Sequence, residues 1–410
     1  MTKFRLFLLF FIFFQALPGR AQSGFYLYSG QKQVDIPFEY INNFIIVTLN
    51  FNGSLPLKFI FDTGAEHTIL SKREITDMLR LRYEREFRVT GSDLKTELIA
   101  YLVRNVRLDV PQKATAPRQD ILVLQEDYFR FEEYAGVRVQ GILAASAFAR
   151  FMIKINYQTR FITLYDRASY KLRESGFVEV PIEMFRNKMY LKTNLQVRAD
   201  SIAPAKLLLD TGAGLPLLLF ANTHPLIHPP ANAIPSNIGM GLGGYLEGFT
   251  GRINSFDFGP FAQNGVVTYF QMLDTTQNLD HLNKRNGLVG NAILDRFQII
   301  LDYQDAKIWL KPNRNASQPY VYDRSGLTII ASGLFFSTFI IQNVLPASPA
   351  AEADLRHGDI ILRMGLRPAN LMTLADLQRS LQKKAGKKVK LLIERDGRRI
   401  KKTFVLRDLI

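Results

Sequence analysis

The tetrapeptide Asp-Thr-Gly-Ala occurs twice in this chain of 410 residues, at Asp62–Ala65 and at Asp210–Ala213. An apolar, strand-like run precedes each copy: Phe59–Phe61 before the first and Leu207–Leu209 before the second. One copy alone would say little, because Asp and Gly are common in turns. The two Asp residues lie 148 positions apart, so each copy can head one half of a two-lobed unit.

The similarity between the two halves continues downstream. In the first half Gly141–Ala144 is followed by Arg150–Gln158, and in the second half Gly287–Gly290 is followed by Arg296–Gln304. Both pairs of segments are related by an offset of 146, close to the offset of the Asp residues. Self-similarity at a fixed offset is typical of repeated structural units. The sequence therefore predicts a duplicated lobe.

Strand patterns lead into both copies. Ile45–Leu49 and Leu57–Phe61 flank Asn52-Gly53, which is a strong signal for a β-hairpin. In the second half, Met189–Val197 is predicted to pair with Ala205–Leu209. Each pair of strands would present its Asp at the end of the second strand.

With these residues in view, the chain resembles the aspartic proteases of the pepsin and retropepsin type, from about residue 30 to about residue 315. In that family each lobe supplies one Asp, and a segment of two hydrophobic residues and a Gly supports its loop. The resemblance implies that Asp62 and Asp210 are the catalytic residues. The first lobe departs from the pattern with Ala144 in place of Gly, and its methyl group is either absorbed or shifts the loop. The residues implied to support the dyad are Thr63, Gly64, Thr211 and Gly212.

The resemblance also implies the chemistry. Two carboxyl groups held close together share one proton, because both cannot ionise cheaply. The ionised Asp activates a water molecule, and the protonated Asp donates to the carbonyl oxygen of the scissile bond. The sequence leaves open which of Asp62 and Asp210 holds the proton.

Metal and serine chemistry have little support in the sequence. His224 and His228 have the i, i+4 spacing of some metal sites, but prolines at 225, 229 and 230 disfavour a helix there, and no H-E-x-x-H motif is present. No G-x-S-x-G motif is present either. His67 follows the first Asp closely, and we expect it to face solvent. No metal or other cofactor is predicted.

Two segments are expected near the cleft. The turn at 88–93, before the alternating run Leu98–Leu108, falls where the family has a flap, with an ordinary surface hairpin as the alternative. Gly239–Gly244 is too rich in glycine for a regular strand and is interpreted as a flexible loop, with a plain turn as the alternative. A short helix is predicted within Ile69–Leu81.

The N-terminus has the pattern of a signal peptide. Lys3 and Arg5 precede the apolar run Leu6–Phe14, and small residues follow at Gly19 and Ala21. The run is shorter than the ~20 residues of a spanning helix, although an uncleaved anchor is the alternative. No later segment is predicted to span a membrane. The absence of cysteine fits export in a bacterium, to the periplasm or the exterior.

The formal net charge of the chain is +15, and about +12 without the three basic residues of the predicted signal peptide. Basic runs at 383–388 and 398–402 suggest a nucleic-acid partner at first sight. Their charges alternate with strand residues, and no aromatic stacking platform accompanies them. A solvated strand face is therefore favoured, and no nucleic-acid partner is predicted. Attraction to anionic envelope surfaces stays open.

The part of the chain from about residue 320 resembles a PDZ domain of the bacterial envelope type. The resemblance is carried by Ser348–Leu355 and His357–Ile361. Asp354 stands where the family usually has Gly, and Asp tolerates left-handed backbone angles better than most residues. Thr373–Asp376 is predicted to cap a helix, and Asp396-Gly397 to close a hairpin.

PDZ domains bind extended peptides by adding a strand to a sheet edge, with a backbone nest for a chain-end carboxylate. The resemblance implies that this nest is Ala331–Phe335. Only Gly333 of the usual glycine-rich loop is present. Docking of the domain onto the protease lobes is the alternative. The candidate peptide-binding residues are Ser332, Gly333, Leu334 and Phe335.

We therefore predict a mainly β chain with a two-lobed pepsin-like aspartic protease fold and a small α+β PDZ domain. The predicted segments are 1–21 (signal peptide), 22–172 (first lobe), 173–316 (second lobe) and 320–410 (PDZ domain). The predicted function is an exported aspartic endopeptidase that hydrolyses peptide or protein substrates, with a PDZ domain that binds peptide segments or chain ends. The alternative is a non-catalytic peptide-binding or scaffold protein that keeps the two-lobed fold.

Overall fold

The computed structural model describes residues 24–91, 96–128, 131–172, 174–241, 244–274 and 280–410. The predicted signal peptide, residues 1–21, lies outside the described residues. Among the residues that the structure describes, no helix is long and apolar enough to cross a membrane.

The first lobe is built on a sheet with strand order β1-β9-β6-β10-β5-β4-β8-β7, and β3 pairs with β4. The strands of this half are β1 (Tyr26–Leu27), β2 (Gln33–Pro37), β3 (Glu39–Ile41), β4 (Phe44–Phe51), β5 (Leu55–Asp62), β6 (Ile69–Leu70), β7 (Arg85–Thr90), β8 (Glu97–Val110), β9 (Ala114–Leu124), β10 (Gly141–Ala144), β11 (Phe151–Asn156) and β12 (Phe161–Asp166). The helices are α1 (Arg73–Met78), which confirms the short helix predicted there, and α2 (Phe131–Ala135).

The second lobe repeats this plan with strand order β14-β15-β16-β21-β17-β20-β19-β18. The strands of this half are β13 (Val178–Pro181), β14 (Glu183–Phe185), β15 (Lys188–Arg198), β16 (Ser201–Asp210), β17 (Leu217–Phe220), β18 (Ile234–Gly241), β19 (Gly244–Phe258), β20 (Phe261–Gln271), β21 (Gly287–Gly290), β22 (Phe297–Asp302) and β23 (Lys307–Pro312). The short helix α3 (Asn291–Leu294) follows β21 directly.

The strand that ends in the Asp has the same neighbours in both lobes. β5 pairs antiparallel with β4 and parallel with β10, and β16 pairs in the same way with β15 and β21. This register places Ala144 beside Asp62 and Gly290 beside Asp210. The two-lobed, mainly β architecture predicted from the repeat is confirmed.

A third sheet joins the lobes, with strand order β13-β23-β22-β11-β12-β2. Its central pair, β11 and β22, is antiparallel and contributes one strand from each half. Lys154 pairs with Ile300, and these two residues are related by the repeat offset of 146. A local two-fold axis therefore passes between them. Apolar side chains of both halves form one continuous core around this sheet.

The C-terminal domain has its own core and a sheet with strand order β24-β25-β26-β28-β29, in which β27 pairs with β26. Asp354 adopts the left-handed conformation expected of it (φ 53°), and Thr373 and Asp376 form the predicted capping box. The PDZ architecture is thus confirmed. Its elements are β24 (Leu327–Ser332), β25 (Thr338–Val344), β26 (Ile360–Met364), β27 (Arg367–Pro368), β28 (Lys388–Arg395), β29 (Arg398–Val405), α4 (Pro349–Glu352) and α5 (Leu374–Leu381).

The glycine-rich segment of the second lobe is more regular than predicted. Gly239–Gly241 ends β18 and Gly244 begins β19, so these glycines belong to a paired hairpin rather than to an irregular loop. The backbone ladder outweighs their low strand propensity, and a register shift follows Asn237. Residues 242–243, like the tip of the β7/β8 hairpin at 92–95, lie outside the described residues.

The PDZ domain docks on the protease lobes. Helix α2 of the first lobe packs against β24, and the guanidinium of Arg138 donates a hydrogen bond to the carbonyl of Leu334 (3.2 Å). On the second lobe, the guanidinium of Arg296 lies 3.5 Å from the ring centroid of Tyr320. At the C-terminus, Leu409 and Ile410 pack against the core of the lobes. The docked arrangement that the sequence left as an alternative is the one in the structure.

Candidate active site

The loops that carry Asp62 and Asp210 meet between the two lobes. A Cβ atom placed on Gly64 would lie 2.7 Å from Cγ of Asp210, and a Cβ atom on Gly212 would collide with the Asp62 carboxyl. Each carboxyl therefore packs against the glycine of the opposite loop. Glycine is required at both positions, because any side chain would push the two carboxyls apart.

Two threonines lock the loops to one another. The Thr63 hydroxyl accepts a hydrogen bond from the Thr211 amide (3.0 Å) and donates to the carbonyl of Leu209 (2.7 Å). The Thr211 hydroxyl does the same with the Thr63 amide (3.0 Å) and the carbonyl of Phe61 (2.8 Å). Both threonines are buried. This symmetrical exchange fixes the relative position of the two Asp residues.

Backbone amides hold each carboxyl in place. Oδ1 of Asp62 accepts hydrogen bonds from the amides of Gly64 (2.6 Å) and Ala65 (3.2 Å), and Oδ1 of Asp210 accepts one from the amide of Gly212 (2.8 Å). The two side chains also share a hydrogen bond with each other. The supporting roles implied for Thr63, Gly64, Thr211 and Gly212 match the contacts that these residues make.

The two carboxyls titrate differently. Burial, followed by the charge of Asp210, raises the pKa of Asp62 well above its usual range. Burial also raises the pKa of Asp210, but Arg285, the hydrogen bond shared with Asp62 and Lys188 act in the opposite direction. Because burial opposes a second negative charge, the pair retains one proton above the ordinary carboxyl range.

The departure at Ala144 is accommodated. Ala144 is buried in an extended conformation, and its amide bonds to the hydroxyl of Thr68 (3.3 Å). At the equivalent Gly290, a Cβ atom would collide with the carbonyl of Leu215. The two amides also have different partners, because the Gly290 amide donates to the backbone carbonyl of Pro216 (2.8 Å) rather than to a side-chain hydroxyl.

One buried contact across the lobes was missed from the sequence. Asn291 donates to the carbonyl of Thr211 (2.5 Å) and accepts from the hydroxyl of Tyr157 (2.7 Å). In the repeat, Ala145 corresponds to Asn291 and Tyr303 to Tyr157. The offset of 146 could have identified this asymmetry, since it aligns a polar residue with an alanine.

A cavity of about 1580 Å³ surrounds the dyad and extends to the PDZ domain. The first-lobe hairpin β7/β8 lines it with Phe87 and Val89, and the second-lobe hairpin β18/β19 with Ile238 and Leu246. The hairpin predicted as a flap thus lies beside the cleft. The PDZ residues that line the same cavity include Leu327, Ile329 and Leu374.

His67 also lines this cavity, and its side chain is 61% exposed, as expected for a residue that faces solvent. Its Nε2 lies 3.9 Å from a carboxylate oxygen of Glu66. Within the described ranges, no group of three or more His, Cys, Asp or Glu side chains could hold a metal ion.

The residues implied as the PDZ nest end one strand and begin the turn that follows it. Ser332 ends β24, and Gly333 begins the turn to β25, in which Leu334 and Phe335 are exposed. The amides that converge belong instead to residues 325–327 at the start of the edge strand β24, and they donate to Oδ1 of Asp323 (2.6–3.3 Å). The chain supplies its own carboxylate to this nest. Peptide binding by Ser332–Phe335 stays a prediction.

Family comparisons agree with the architecture. Residues 47–147 match a family model described as aspartyl protease, and residues 340–395 match a PDZ domain model. The chain carries an aspartyl protease segment and a PDZ domain. The protease match contains Asp62 and strand β10, whereas Asp210 comes from the second half of the repeat.

Individual proteins are similar over different extents. The crystal structure of the aspartic proteinase from Irpex lacteus aligns with this chain with a TM-score of 0.43 and 12% sequence identity. The alignment covers 70% of this chain and 99% of the chain of that proteinase. Candidate zinc metalloproteases of Brucella suis biovar 1 and Brucella melitensis biotype 1 are each 35% identical over 81 residues, which is 18% of this chain. The chain spans 21% of the length of these two relatives.

Proposed function

We propose that this chain is an aspartic endopeptidase. The observation that carries the proposal is the pair of carboxyls, Asp62 and Asp210, each packed against the glycine of the opposite loop and joined by a hydrogen bond. In this proposal the proton resides on Asp62 and the negative charge on Asp210, because Arg285 and Lys188 favour the ionised form of Asp210. General acid–base hydrolysis of a peptide bond needs one protonated and one ionised group.

In the proposed reaction, Asp210 takes a proton from a water molecule while the oxygen of that water molecule attacks the carbonyl carbon of the scissile bond. Asp62 donates its proton to the carbonyl oxygen, which gives a neutral tetrahedral diol. Asp210 then returns its proton to the amide nitrogen while the C–N bond breaks. One hydroxyl of the diol restores the proton of Asp62 as the new carboxylic acid forms.

The cavity supports an extended polypeptide as the substrate. It runs from the dyad between the two hairpins to the PDZ edge strand β24 and helix α5. We propose that the domain contacts extended segments of the substrate. Chain ends are less suited to the nest at residues 325–327, because Asp323 already occupies its amides.

We also propose that the protein is exported in a bacterium, to the periplasm or the exterior. The basic start, the apolar run Leu6–Phe14 and the absence of cysteine support this location. Fractionation of cells that express the full chain, with N-terminal sequencing of the product, tests the proposal. Retention of residues 1–21 on a cytoplasmic product would contradict it.

Substitution of the dyad tests the catalytic proposal. Starting from the chain without residues 1–21, Asp62→Asn and Asp210→Asn should each lower kcat/KM on a peptide library by about a thousandfold or more. The double variant should lose little more, because the pair acts as a unit. Asp295→Asn is the matched control, since Asp295 is a partly buried cavity carboxyl outside the dyad that accepts a bond from Tyr40.

The pH dependence gives a second readout. Activity requires one proton on the pair, and that proton is lost as pH rises through the raised pKa of Asp62. The rate of hydrolysis should therefore stay high at pH values above the ordinary pKa range of carboxyl groups. It should fall at higher pH, where the pair loses its proton. A folded wild-type chain that binds peptides but cleaves none between acid and neutral pH would favour the scaffold alternative.

A further inference from the structure

Two cations lie beside the dyad on the second-lobe side of the cleft. Arg285 precedes β21, and Lys188 is the first residue of β15. Both line the cavity that contains Asp210, and both act electrostatically on that carboxyl. In the proposed mechanism neither cation transfers a proton or contacts the substrate, and their role is limited to this electrostatic effect on Asp210.

Among the residues that the structure describes, Arg285 forms no salt bridge, and the carboxylate whose charge acts on it is Asp210 of the dyad. Its guanidinium lies 5.6 Å from the ring centroid of Phe220, and its Nε is buried without a hydrogen-bond partner. Burial lowers its pKa, against the opposing effects of Tyr190 and Asp210. Burying a cation without a partner costs free energy, so its retention is not explained by stability. The guanidinium is placed to receive an anion from outside.

Lys188 is only loosely paired. Its Nζ lies 3.9 Å from Oε2 of Glu66, and the side chain is 21% exposed. Burial, followed by the charge of Arg285, lowers the pKa of Lys188, while Glu66 and the dyad act in the opposite direction. A ligand carboxylate between Lys188 and Arg285 would reduce the repulsion between these two cations.

The repeat provides an internal comparison for Lys188. In the second lobe Lys188 pairs with Phe185 across the β14/β15 turn, and in the first lobe Phe44 pairs with Ile41 across the β3/β4 turn. Both turns use two consecutive residues with positive φ. Phe44 therefore stands at the position of Lys188.

The same comparison can be made for Arg285. The side-chain carbonyl of Asn286 accepts a bond from the Lys206 amide (2.8 Å), and that of Gln140 accepts one from the Lys58 amide (2.8 Å). The preceding residue is Arg285 in the second lobe and the buried Val139 in the first. Val139 belongs to the first-lobe core, whereas Phe44 lines the dyad cavity. The second lobe thus presents two cationic side chains to the cavity where the first lobe presents the ring of Phe44.

The surroundings of the cations suit an acidic side chain with a hydrocarbon stem. Phe220, Leu282 and Leu288 form an apolar wall that lines the same cavity. A Glu or Asp residue could pack its methylene groups on this wall while its carboxylate reaches the guanidinium. A charge-assisted hydrogen bond of this kind is stronger than a neutral one.

We propose that Arg285 and Lys188 form a subsite on the second-lobe side of the dyad that binds a carboxylate of the peptide substrate. The first-lobe counterpart, at Phe44, takes an apolar side chain. The proposal rests on the endopeptidase function and names its substrate class: peptides with an apolar residue on one side of the cut and an acidic residue on the other.

The test uses matched peptides that differ only in one residue next to the cut, Glu against Gln, each with a free or an amidated C-terminus. Wild-type kcat/KM should favour Glu by about tenfold or more. If kcat/KM is higher for the Glu peptides whether or not the C-terminus is amidated, the subsite binds a side-chain carboxylate. If kcat/KM is higher only for peptides with a free C-terminus, the subsite binds the carboxylate of the chain end.

Two substitutions replace second-lobe residues by the residues at the equivalent positions of the first lobe: Arg285→Val and Lys188→Phe. Each should reduce the Glu/Gln ratio of kcat/KM several-fold, and the double variant should bring it close to one. Arg285→Lys, which keeps the charge, should restore part of the ratio. Lys192→Met is the matched control, because Lys192 lies on the same strand with a side chain that is 76% exposed. It should leave the ratio unchanged.

Thermal unfolding of each variant checks that the chain remains folded, and removal of an unpartnered buried cation should not lower stability. If wild type cleaves the Glu and Gln peptides equally, the subsite is wrong while the endopeptidase function stands. A ratio that survives Arg285→Val with Lys188→Phe also overturns the inference. If wild type cleaves no peptide, the proposed function itself has failed.

Discussion

At the residue scale, the duplicated lobes differ in one buried pair. Tyr157 donates its hydroxyl to Asn291, which in turn binds the Thr211 carbonyl. The repeat counterpart Tyr303 has a buried hydroxyl without a hydrogen-bond partner, and the corresponding position of Asn291 is Ala145. Burial raises the pKa of Tyr303, and the Asp62 carboxyl acts in the same direction. An unsatisfied buried hydroxyl destabilises the fold.

Removing this hydroxyl should therefore be harmless. We expect Tyr303→Phe to leave the free energy of unfolding unchanged or to raise it by about 1 kcal/mol, and Tyr157→Phe to lower it by about 1–3 kcal/mol because Asn291 loses a partner. Chemical denaturation of both variants measures the difference. A larger loss for Tyr303→Phe than for Tyr157→Phe would show that the Tyr303 hydroxyl has a partner in solution.

At the element scale, the short parallel strand beside each Asp tolerates different residues. The amide of Ala144 on β10 donates to the hydroxyl of Thr68, whereas the Cα of Gly290 on β21 lies against the backbone of 213–215. β10 and β21 have the same place in the topology of their lobes, but the groups around them differ. The allowed residue is thus decided by the segment that crosses each strand.

Reciprocal substitutions test this difference. Gly290→Ala should abolish hydrolysis and lower stability by several kcal/mol, because its Cβ atom would displace the backbone that supports Asp210. Ala144→Gly should cost only about 1 kcal/mol, mainly through backbone entropy, and keep most of the activity. Tm and kcat/KM of both variants give the comparison. Comparable losses in the two variants would contradict the assigned environments.

At the scale of the whole molecule, the PDZ domain is part of the cleft. The sequence predicts that its removal spares hydrolysis of short peptides, because the dyad and its supporting strands all precede Pro312. In the structure, Leu327 and Leu374 line the dyad cavity, and Leu409 and Ile410 pack on the core of the lobes. The Tyr322 hydroxyl accepts a bond from the Leu409 amide (2.7 Å) and so ties the C-terminus to the linker.

Truncation after Tyr322 should therefore lower Tm and reduce kcat/KM on short peptides and protein substrates alike, because it uncovers apolar surface of the lobes. Arg138→Ala, which removes one hydrogen bond to Leu334, is the mild control and should cost about 1 kcal/mol or less. Loss on protein substrates alone would instead mean that the domain recruits targets, as the sequence by itself suggests.

The sequence alone determined the duplicated β lobes, the loops of Asp62 and Asp210, and the PDZ architecture. These features are encoded locally, in strand patterns, turn residues and motifs that recur at a fixed offset, so they can be read without knowing which surfaces meet. The capping box at Thr373 and the left-handed turn at Asp354 are local in the same sense.

Only the tertiary structure decided that the Asp62 and Asp210 carboxyls are buried together, that the PDZ domain docks on the lobes, and that Arg285 and Lys188 line the dyad cavity. Each of these depends on groups distant in sequence that share one buried site. Desolvation and charge interactions act through space, and their size depends on burial and distance, which no local pattern records.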